Sequence, residues 1–226
     1  EKPETQTVVS SPVKSEEDPA ENLYRRAVDF EKLHPGKFFQ IMRKYKEAAQ
    51  AFGKLIEYPQ LETDFNPLYL SSLYMLGLNS SFTDDHKTTT DTLVKFLELA
   101  KDSSGHTQFL PLANLLLGSS QMTQLQKEAD KIKKDKNEKE KLEKIAVLAK
   151  NRKEIESYLN KAIELNPKLE PAYMHLGNYY YYCNDLEKST ETYNNLIQKF
   201  PNSQDIKQYK KFLSDISKDK KDSEKK

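Results

Sequence analysis

Several residue types that mark particular protein classes are scarce or missing from this chain. Its 226 residues include no tryptophan, one cysteine and six glycines, and its formal net charge at pH 7 is +1. One cysteine excludes an internal disulfide framework and a multi-cysteine zinc site. A net charge this close to zero gives no overall attraction to nucleic acid or to an anionic membrane. Because no apolar run reaches the ~18 residues needed to span a bilayer, the sequence predicts no transmembrane segment.

The residues that usually carry catalysis or bind cofactors are not arranged for either task. The chain contains neither a GxGxxG nor a GxxxxGK[ST] phosphate-binding loop, and its four histidines show no HExxH spacing. His175 and Cys183 are about 12 Å apart along a helix, too far for a direct base and nucleophile pair. Asp84, Asp85 and His86 could contact a metal, but a polar turn that caps the next helix explains them more simply. We therefore expect a non-enzymatic protein without catalytic, cofactor or metal residues.

The most informative stretch is 170–203, which divides into two amphipathic helices joined by a tight turn. The first helix has an apolar face at helical spacing, formed by Tyr173, Leu176, Tyr180 and Cys183. Asn184 and Asp185 are typical of a turn followed by an N-cap. The second helix, which ends at a proline, has an apolar face formed by Leu186, Tyr193, Leu196, Ile197 and Phe200. Gly177 costs roughly 1 kcal/mol inside a helix, so it predicts a close approach of the partner helix.

These residues resemble the tetratricopeptide repeat, a helix–turn–helix unit of ~34 residues. The matching positions are Tyr173, Leu176, Gly177, Tyr180, Ser189, Tyr193 and Pro201. Two positions depart from the family pattern, because Ser189 replaces the usual alanine and Leu196 replaces another small residue. The resemblance implies stacked helical hairpins whose first helices line a concave groove that holds peptides or partner segments.

Weaker copies of the same pattern predict an all-α, TPR-like solenoid of about four repeats with a C-terminal capping helix. The repeats are expected at 20–59, 66–104, 107–167 and 170–203, followed by a cap at 204–217.

Leu-Gly pairs recur at Gly77, Gly118 and Gly177, with spacings of 41 and 59 residues. Because unbroken repeats would give ~34, the third repeat must contain an insertion. Residues 122–150, rich in both signs of charge, are that insertion, predicted as extended helices that fold back. Their charges indicate either a solvated face or a docking prong for an acidic or mixed-charge partner.

The two ends of the chain have the composition of disordered segments. Residues 1–19 are rich in Pro, Ser, Thr and Glu and predict a tether, and 218–226 predict a disordered tail. The segments that end at Pro59 and at Ser203 also resemble repeats of bacterial envelope lipoproteins, including outer-membrane assembly factors. That resemblance implies a periplasmic or envelope location and a lipid anchor upstream of Glu1.

The resemblance also selects candidate binding residues in the fourth repeat. It places Met174, Asn178, Tyr181 and Tyr182 toward the groove and leaves Tyr180 for the core. Tyrosine suits recognition because its large amphipathic ring loses little entropy on binding. Alternatively, the tyrosines at 179–182 pack against the third repeat or the capping helix. The carboxylate clamp of cochaperone relatives is disfavoured, because Met174 stands where a lysine is wanted.

The sequence therefore predicts a scaffold or adaptor that binds a protein or peptide partner of unknown identity. The alternative is a carrier that holds a small molecule or lipid in a pocket between its helices.

Overall fold

The computed structural model describes residues 38–58, 61–64, 66–133 and 138–223, and within these ranges the chain is helical and contains no strand. The predicted all-α class is therefore confirmed for this part of the chain. The predicted tether at 1–19 and the first helix predicted for the first repeat lie outside it. The nine described α-helices are α1 (Phe38–Ile56), α2 (Leu61–Asp64), α3 (Asn66–Ser81), α4 (His86–Leu99), α5 (Leu110–Lys133), α6 (Glu138–Leu165), α7 (Glu170–Tyr182), α8 (Leu186–Lys199) and α9 (Ile206–Ser223). A short 3-10 helix, Thr107–Phe109, leads into α5.

The helices pack in chain order from α3 onward, each against the next one. In addition, α3 packs against α5, and α5 packs against α7. Within the described ranges, α4 and α6 show no comparable packing, nor do α6 and α8. The helices α3, α5 and α7 therefore form a continuous row, and each carries its own following helix on one side.

The turns that join α3 to α4 and α7 to α8 have the same conformation. The backbone φ angle is 57° at Asp84 and 61° at Asn184, which is the left-handed region. The next residues, Asp85 and Asp185, each accept a hydrogen bond at 3.1 Å from the backbone N–H three residues later. Each aspartate is therefore an N-cap. The predicted turn and cap at 184–185 are confirmed, and the Asp84–His86 segment is also a capped turn.

Three glycines mark where the two helices of a hairpin come closest. A Cβ added at any of them would meet a buried side chain of the following helix. The closest distances would be 2.5 Å from Gly77 to Leu93, 2.9 Å from Gly118 to Leu159 and 2.7 Å from Gly177 to Tyr193. The close approach predicted at Gly177 is confirmed. The contacted residue follows the glycine by 16, 41 and 16 positions, so the α5–α6 hairpin is 25 residues longer than the other two.

The hydrophobic core is divided along the row of helices. One cluster lies between α3, α4 and the start of α5, and a second lies between α5, α6 and α7. A third joins α7 and α8 to α9, and a small fourth cluster joins α1 to α3. The first and second clusters are completed by residues of the next hairpin and the third by α9, so no described hairpin buries its apolar surface alone.

The α5–α6 hairpin contains the two longest described helices, of 24 and 28 residues. An apolar seam continues between them into the charged region, formed by Met122, Leu125, Ile132 and Leu148. The other faces of α5 carry exposed charges, including Lys127, Glu128 and Lys131. The charged stretch is therefore helical where the structure describes it. Residues 134–137, between the two helices, lie outside the described part of the chain.

The last helix, α9, closes the third cluster and is longer than the cap predicted at 204–217. The ring of Phe212 stacks on Tyr193, with centroids 5.7 Å apart and planes 4° apart. The helix continues to Ser223, so the predicted boundary between cap and tail differs from the structure. Lysine and aspartate side chains one turn apart support the added turn, and Lys218 Nζ lies 3.4 Å from the Asp215 carboxylate. Residues 224–226 lie outside the described chain.

Candidate partner-binding surface

Three of the four predicted contact residues of α7 make contacts with other helices of the fold. Met174 and Tyr181 pack against the third cluster, and the Tyr181 hydroxyl donates a hydrogen bond at 2.8 Å to Asp219 of α9. The amide oxygen of Asn178 accepts a hydrogen bond at 2.7 Å from the Tyr193 hydroxyl of α8. Three of the four therefore have partners inside the fold. Their role as partner contacts stays a prediction.

Two neighbouring tyrosines fasten α7 to α6. The Tyr179 hydroxyl donates a hydrogen bond at 2.8 Å to the backbone carbonyl of Arg152, and the Tyr180 hydroxyl donates one at 2.8 Å to Glu156. Burial raises the pKa of both phenols, so both stay protonated and remain hydrogen-bond donors. This arrangement is the packing alternative: tyrosines 179 and 180 pack against α6, which belongs to the predicted third repeat, and Tyr181 packs against the capping helix.

Tyr182 is the exception among the four consecutive tyrosines. It is 58% exposed, the highest value among the exposed large hydrophobic residues of the described chain. Its ring lies edge-on to that of Tyr181, with centroids 6.0 Å apart. A large aromatic side chain left in solvent at the end of a packed helix is a natural contact for another molecule.

A cleft of about 380 Å³ lies beside Tyr182, between α7, α6 and the second half of α5. Its apolar floor is formed on α5 by Met122, Leu125 and Ala129. Cys183, at the end of α7, lines the same cleft and is half-buried against the second cluster. That setting agrees with the prediction that Cys183 is a small packed residue. The cleft thus combines apolar depth with an exposed aromatic edge.

Polar side chains stand on the walls of the cleft, namely Gln126 and Asp130 on α5 and Arg152 on α6. Asp130 already has an interaction partner in the structure. Arg152 is exposed, and its guanidinium forms no ion pair with any described residue. Among the described charged residues that line the cleft, Arg152 is therefore the one whose side chain is left for a ligand.

Sequence reasoning missed the α5 and α6 residues of this cleft. They belong to the inserted hairpin, which lies 30 or more residues before Tyr182 in the chain, and the repeat template has no position for them. One signal was readable: Met122, Leu125, Ala129 and Ile132 form an apolar stripe at helical spacing inside a charged segment. Such a stripe predicts a packed face, although it does not say what the face packs against.

His86, at the start of α4, contacts a serine of the next hairpin. Within the described ranges, no group of three or more His, Cys, Asp or Glu side chains is placed to hold a metal ion. His86 Nδ1 lies 3.2 Å from the Ser120 hydroxyl, and His86 Nε2 lies 3.9 Å from the Asp84 carboxylate. Burial, followed by the charge of Lys127, lowers the pKa of His86. This neutral histidine therefore ties α4 to α5.

Comparisons with known proteins do not assign this chain to a family. No protein-family model matches the chain, and no curated protein is significantly similar to it. None of the helices in the described ranges is both long enough and apolar enough to cross a membrane.

Proposed function

We propose that this protein is a non-enzymatic scaffold of the tetratricopeptide type that binds a protein or peptide partner at the cleft beside Tyr182. The observation that carries the proposal is the exposed Tyr182 ring next to an apolar cleft of about 380 Å³. Because more than half of its surface is in solvent, Tyr182 contributes little to the stability of the fold and is free to contact a partner.

The residue types of the cleft favour a protein partner. Tyrosine, methionine and arginine are enriched at protein–protein interfaces, and all three line this cleft. Methionine adapts its shape to different partners because its side chain is flexible and polarizable. Tyrosine and arginine are also the residues most often found as energetic hot spots.

The helix arrangement supports a repeat scaffold of the tetratricopeptide type. In the α3–α4 and α7–α8 hairpins a glycine lies against a side chain 16 residues later in the chain. The α5–α6 hairpin makes the same kind of contact with 25 more residues between the two positions. The row formed by α3, α5 and α7 corresponds to the first helices that line a groove in such scaffolds. On this proposal, α1 is the second helix of the first repeat, which gives four repeats and a cap.

The envelope location and the upstream lipid anchor implied by the resemblance remain predictions. Fractionation of the cells that make the protein tests both, because an anchored protein is released from the membrane fraction by detergent. Recovery in the cytosolic fraction would contradict them.

A photo-crosslinking experiment tests the proposed function. A benzophenone amino acid is placed at Tyr182 in one variant and at Phe82 in the control. Phe82 is 47% exposed. It stands two residues before the left-handed residue Asp84, just as Tyr182 stands two residues before Asn184. We expect a crosslinked partner from position 182 and not from position 82.

The matched substitution is Tyr182→Ala, compared with Phe82→Ala. A hot spot worth about 2 kcal/mol corresponds to roughly 30-fold in affinity, so Tyr182→Ala should weaken capture by that order with unchanged helicity. If wild type and Tyr182→Ala capture the partner equally well, the cleft beside Tyr182 is not the binding site. A lipid extracted from the purified protein, with no crosslinked partner, would instead favour the carrier alternative.

A further inference from the structure

One wall of the cleft beside Tyr182 carries a positively charged side chain. Arg152 lines it from α6 and has no ion-pair partner among the described residues. Its backbone is fixed, because its carbonyl oxygen accepts the hydrogen bond from the buried Tyr179 hydroxyl. On α5, Asp130 also lines the cleft but already has a partner. A ligand that enters therefore meets the Arg152 guanidinium, the one cation among the described lining residues, beside an apolar floor.

The chemistry of that cation narrows the class of ligand. A guanidinium group is planar, stays charged at any physiological pH, and presents donors that match the two oxygens of a carboxylate. The methionine and leucine side chains below it can bury an apolar group of the same ligand. A peptide segment that satisfies both features carries a carboxylate close to an aliphatic or aromatic side chain.

We propose that the cleft recognises a segment of the partner in which an Asp or Glu stands beside an apolar side chain, with Arg152 binding the carboxylate and the Met122 and Leu125 floor taking the apolar group. This inference rests on the proposed function. It adds the chemical class of the partner, which the exposed Tyr182 alone does not define.

Charge complementarity argues for an acidic segment over a basic or neutral one. A basic side chain in the cleft would face the like charge of Arg152, and Asp130 would have to leave its present partner in order to compensate it. A neutral segment would leave the guanidinium partly desolvated and unpaired, which costs free energy. An acidic segment avoids both costs.

A random library of 12-residue peptides displayed on phage tests the inference and does not require the partner to be identified first. The full chain is immobilised as wild type, Arg152→Glu, Tyr182→Ala and Lys153→Glu. Lys153 is the control, because it is exposed on the same helix and does not line the cleft. Its reversal changes the net charge by the same amount as Arg152→Glu.

We expect wild type and Lys153→Glu to select peptides with Asp or Glu next to an apolar residue. Arg152→Glu should lose this preference and select Lys or Arg at the same position. A synthetic peptide from the wild-type selection should bind Arg152→Glu at least 10-fold more weakly. Replacing its acidic residue by Asn or Gln should weaken wild-type binding by a similar factor.

The outcomes separate this inference from the proposed function. Peptides that show no acidic preference and bind Arg152→Glu as well as wild type, yet need Tyr182, would overturn the acidic assignment alone. No selection by wild type, or selection that is indifferent to Tyr182→Ala, would overturn the proposed function and this inference together.

Discussion

The α3–α4 and α7–α8 hairpins share their turn and their glycine contact, yet they satisfy buried polar side chains in different ways. In α3–α4, side chains donate to carbonyl groups of their own helix at 2.6 to 2.7 Å, as do Ser72, Asn79 and Thr92. In α7–α8, phenol hydroxyl groups reach other segments, as do Tyr173, Tyr179, Tyr180 and Tyr193.

The difference shows that one backbone unit can be held in place in two ways. A hydrogen bond within a helix does not connect that helix to a neighbour, so these three side chains do not join α3 to α4, which pack on each other through apolar contacts. The phenols of α7–α8 connect helices, so their hydroxyl groups contribute to tertiary structure. Four predictions test this comparison, in order of decreasing effect on stability.

The largest effect should come from the glycine contact that both hairpins share. Gly77→Ala and Gly177→Ala place a Cβ under 3 Å from Leu93 and Tyr193, and overpacking of this kind costs about 1–3 kcal/mol. Gly53→Ala is the control, because nothing lies within 4 Å of its added Cβ. That control should gain up to ~1 kcal/mol from helix propensity. Urea denaturation measures all three, and equal effects at 53 and 77 would reject the contact.

The next effect separates the two hairpins. Tyr179→Phe removes a hydroxyl that joins α7 to α6 and should cost about 1 kcal/mol. Thr92→Val removes a hydroxyl bonded only within α4, so the free energy of unfolding should change by about 0.5 kcal/mol or less. Urea denaturation measures the free energy of unfolding of both variants. A larger decrease for Thr92→Val than for Tyr179→Phe would contradict the proposed difference between the two hairpins.

Each hairpin contains one histidine that should make stability depend on pH. Burial lowers the pKa of both His86 and His175, so the folded chain binds fewer protons than the unfolded chain, whose histidines titrate at ~6.5. Their contribution is therefore fully present above that pH and is lost as the pH falls through it.

The free energy of unfolding should accordingly decrease between pH 7.5 and 5.5, and His86→Gln or His175→Gln should reduce that decrease. Denaturation curves at the two pH values measure the effect. If the free energy of unfolding falls by as much in both variants as in the wild-type chain, groups other than these histidines cause the decrease.

The smallest effect on stability should follow the loss of an exposed aromatic. Tyr182→Ala removes a side chain that is 58% exposed. Phe82→Ala also removes the ring contact with Tyr45, whose centroid lies 4.6 Å away. We expect about 0.5 kcal/mol or less for Tyr182 and a somewhat larger loss, about 0.5–1.5 kcal/mol, for Phe82. Only Tyr182→Ala should reduce partner capture, and a stability loss at Tyr182 above that at Phe82 would indicate a structural role.

Local signals explain what the sequence could predict of the fold. Helical periodicity, the Asp185 cap and the Leu-Gly pairs each depend on residues close in the chain, so the α7–α8 hairpin and the contact at Gly177 were predictable. The side-chain partners of α7 were not. Tyr181 meets Asp219, 38 residues later, and a repeat template gives no position for a cap residue.

The candidate site was predictable only in part, for the same reason. Tyr182 was selected from the tyrosine run, whereas its cleft is completed by Met122 of the insertion and by Arg152, which follows it. These residues are far from Tyr182 in the chain, so only tertiary packing brings them beside α7.

The extra length of the α5–α6 hairpin has a steric consequence for access to the cleft. Helices α5 and α6, of 24 and 28 residues, are 11 and 14 residues longer than α7 and α8, of 13 and 14 residues, and at 1.5 Å per residue this adds about 17 and 21 Å. The cleft is lined by both of these longer helices and by α7. We therefore expect a narrow segment, such as a loop or a chain terminus, to reach its apolar floor more easily than a bulky folded domain. On this expectation the length of the α5–α6 hairpin restricts the shape of a partner, in addition to any contacts that its charges make.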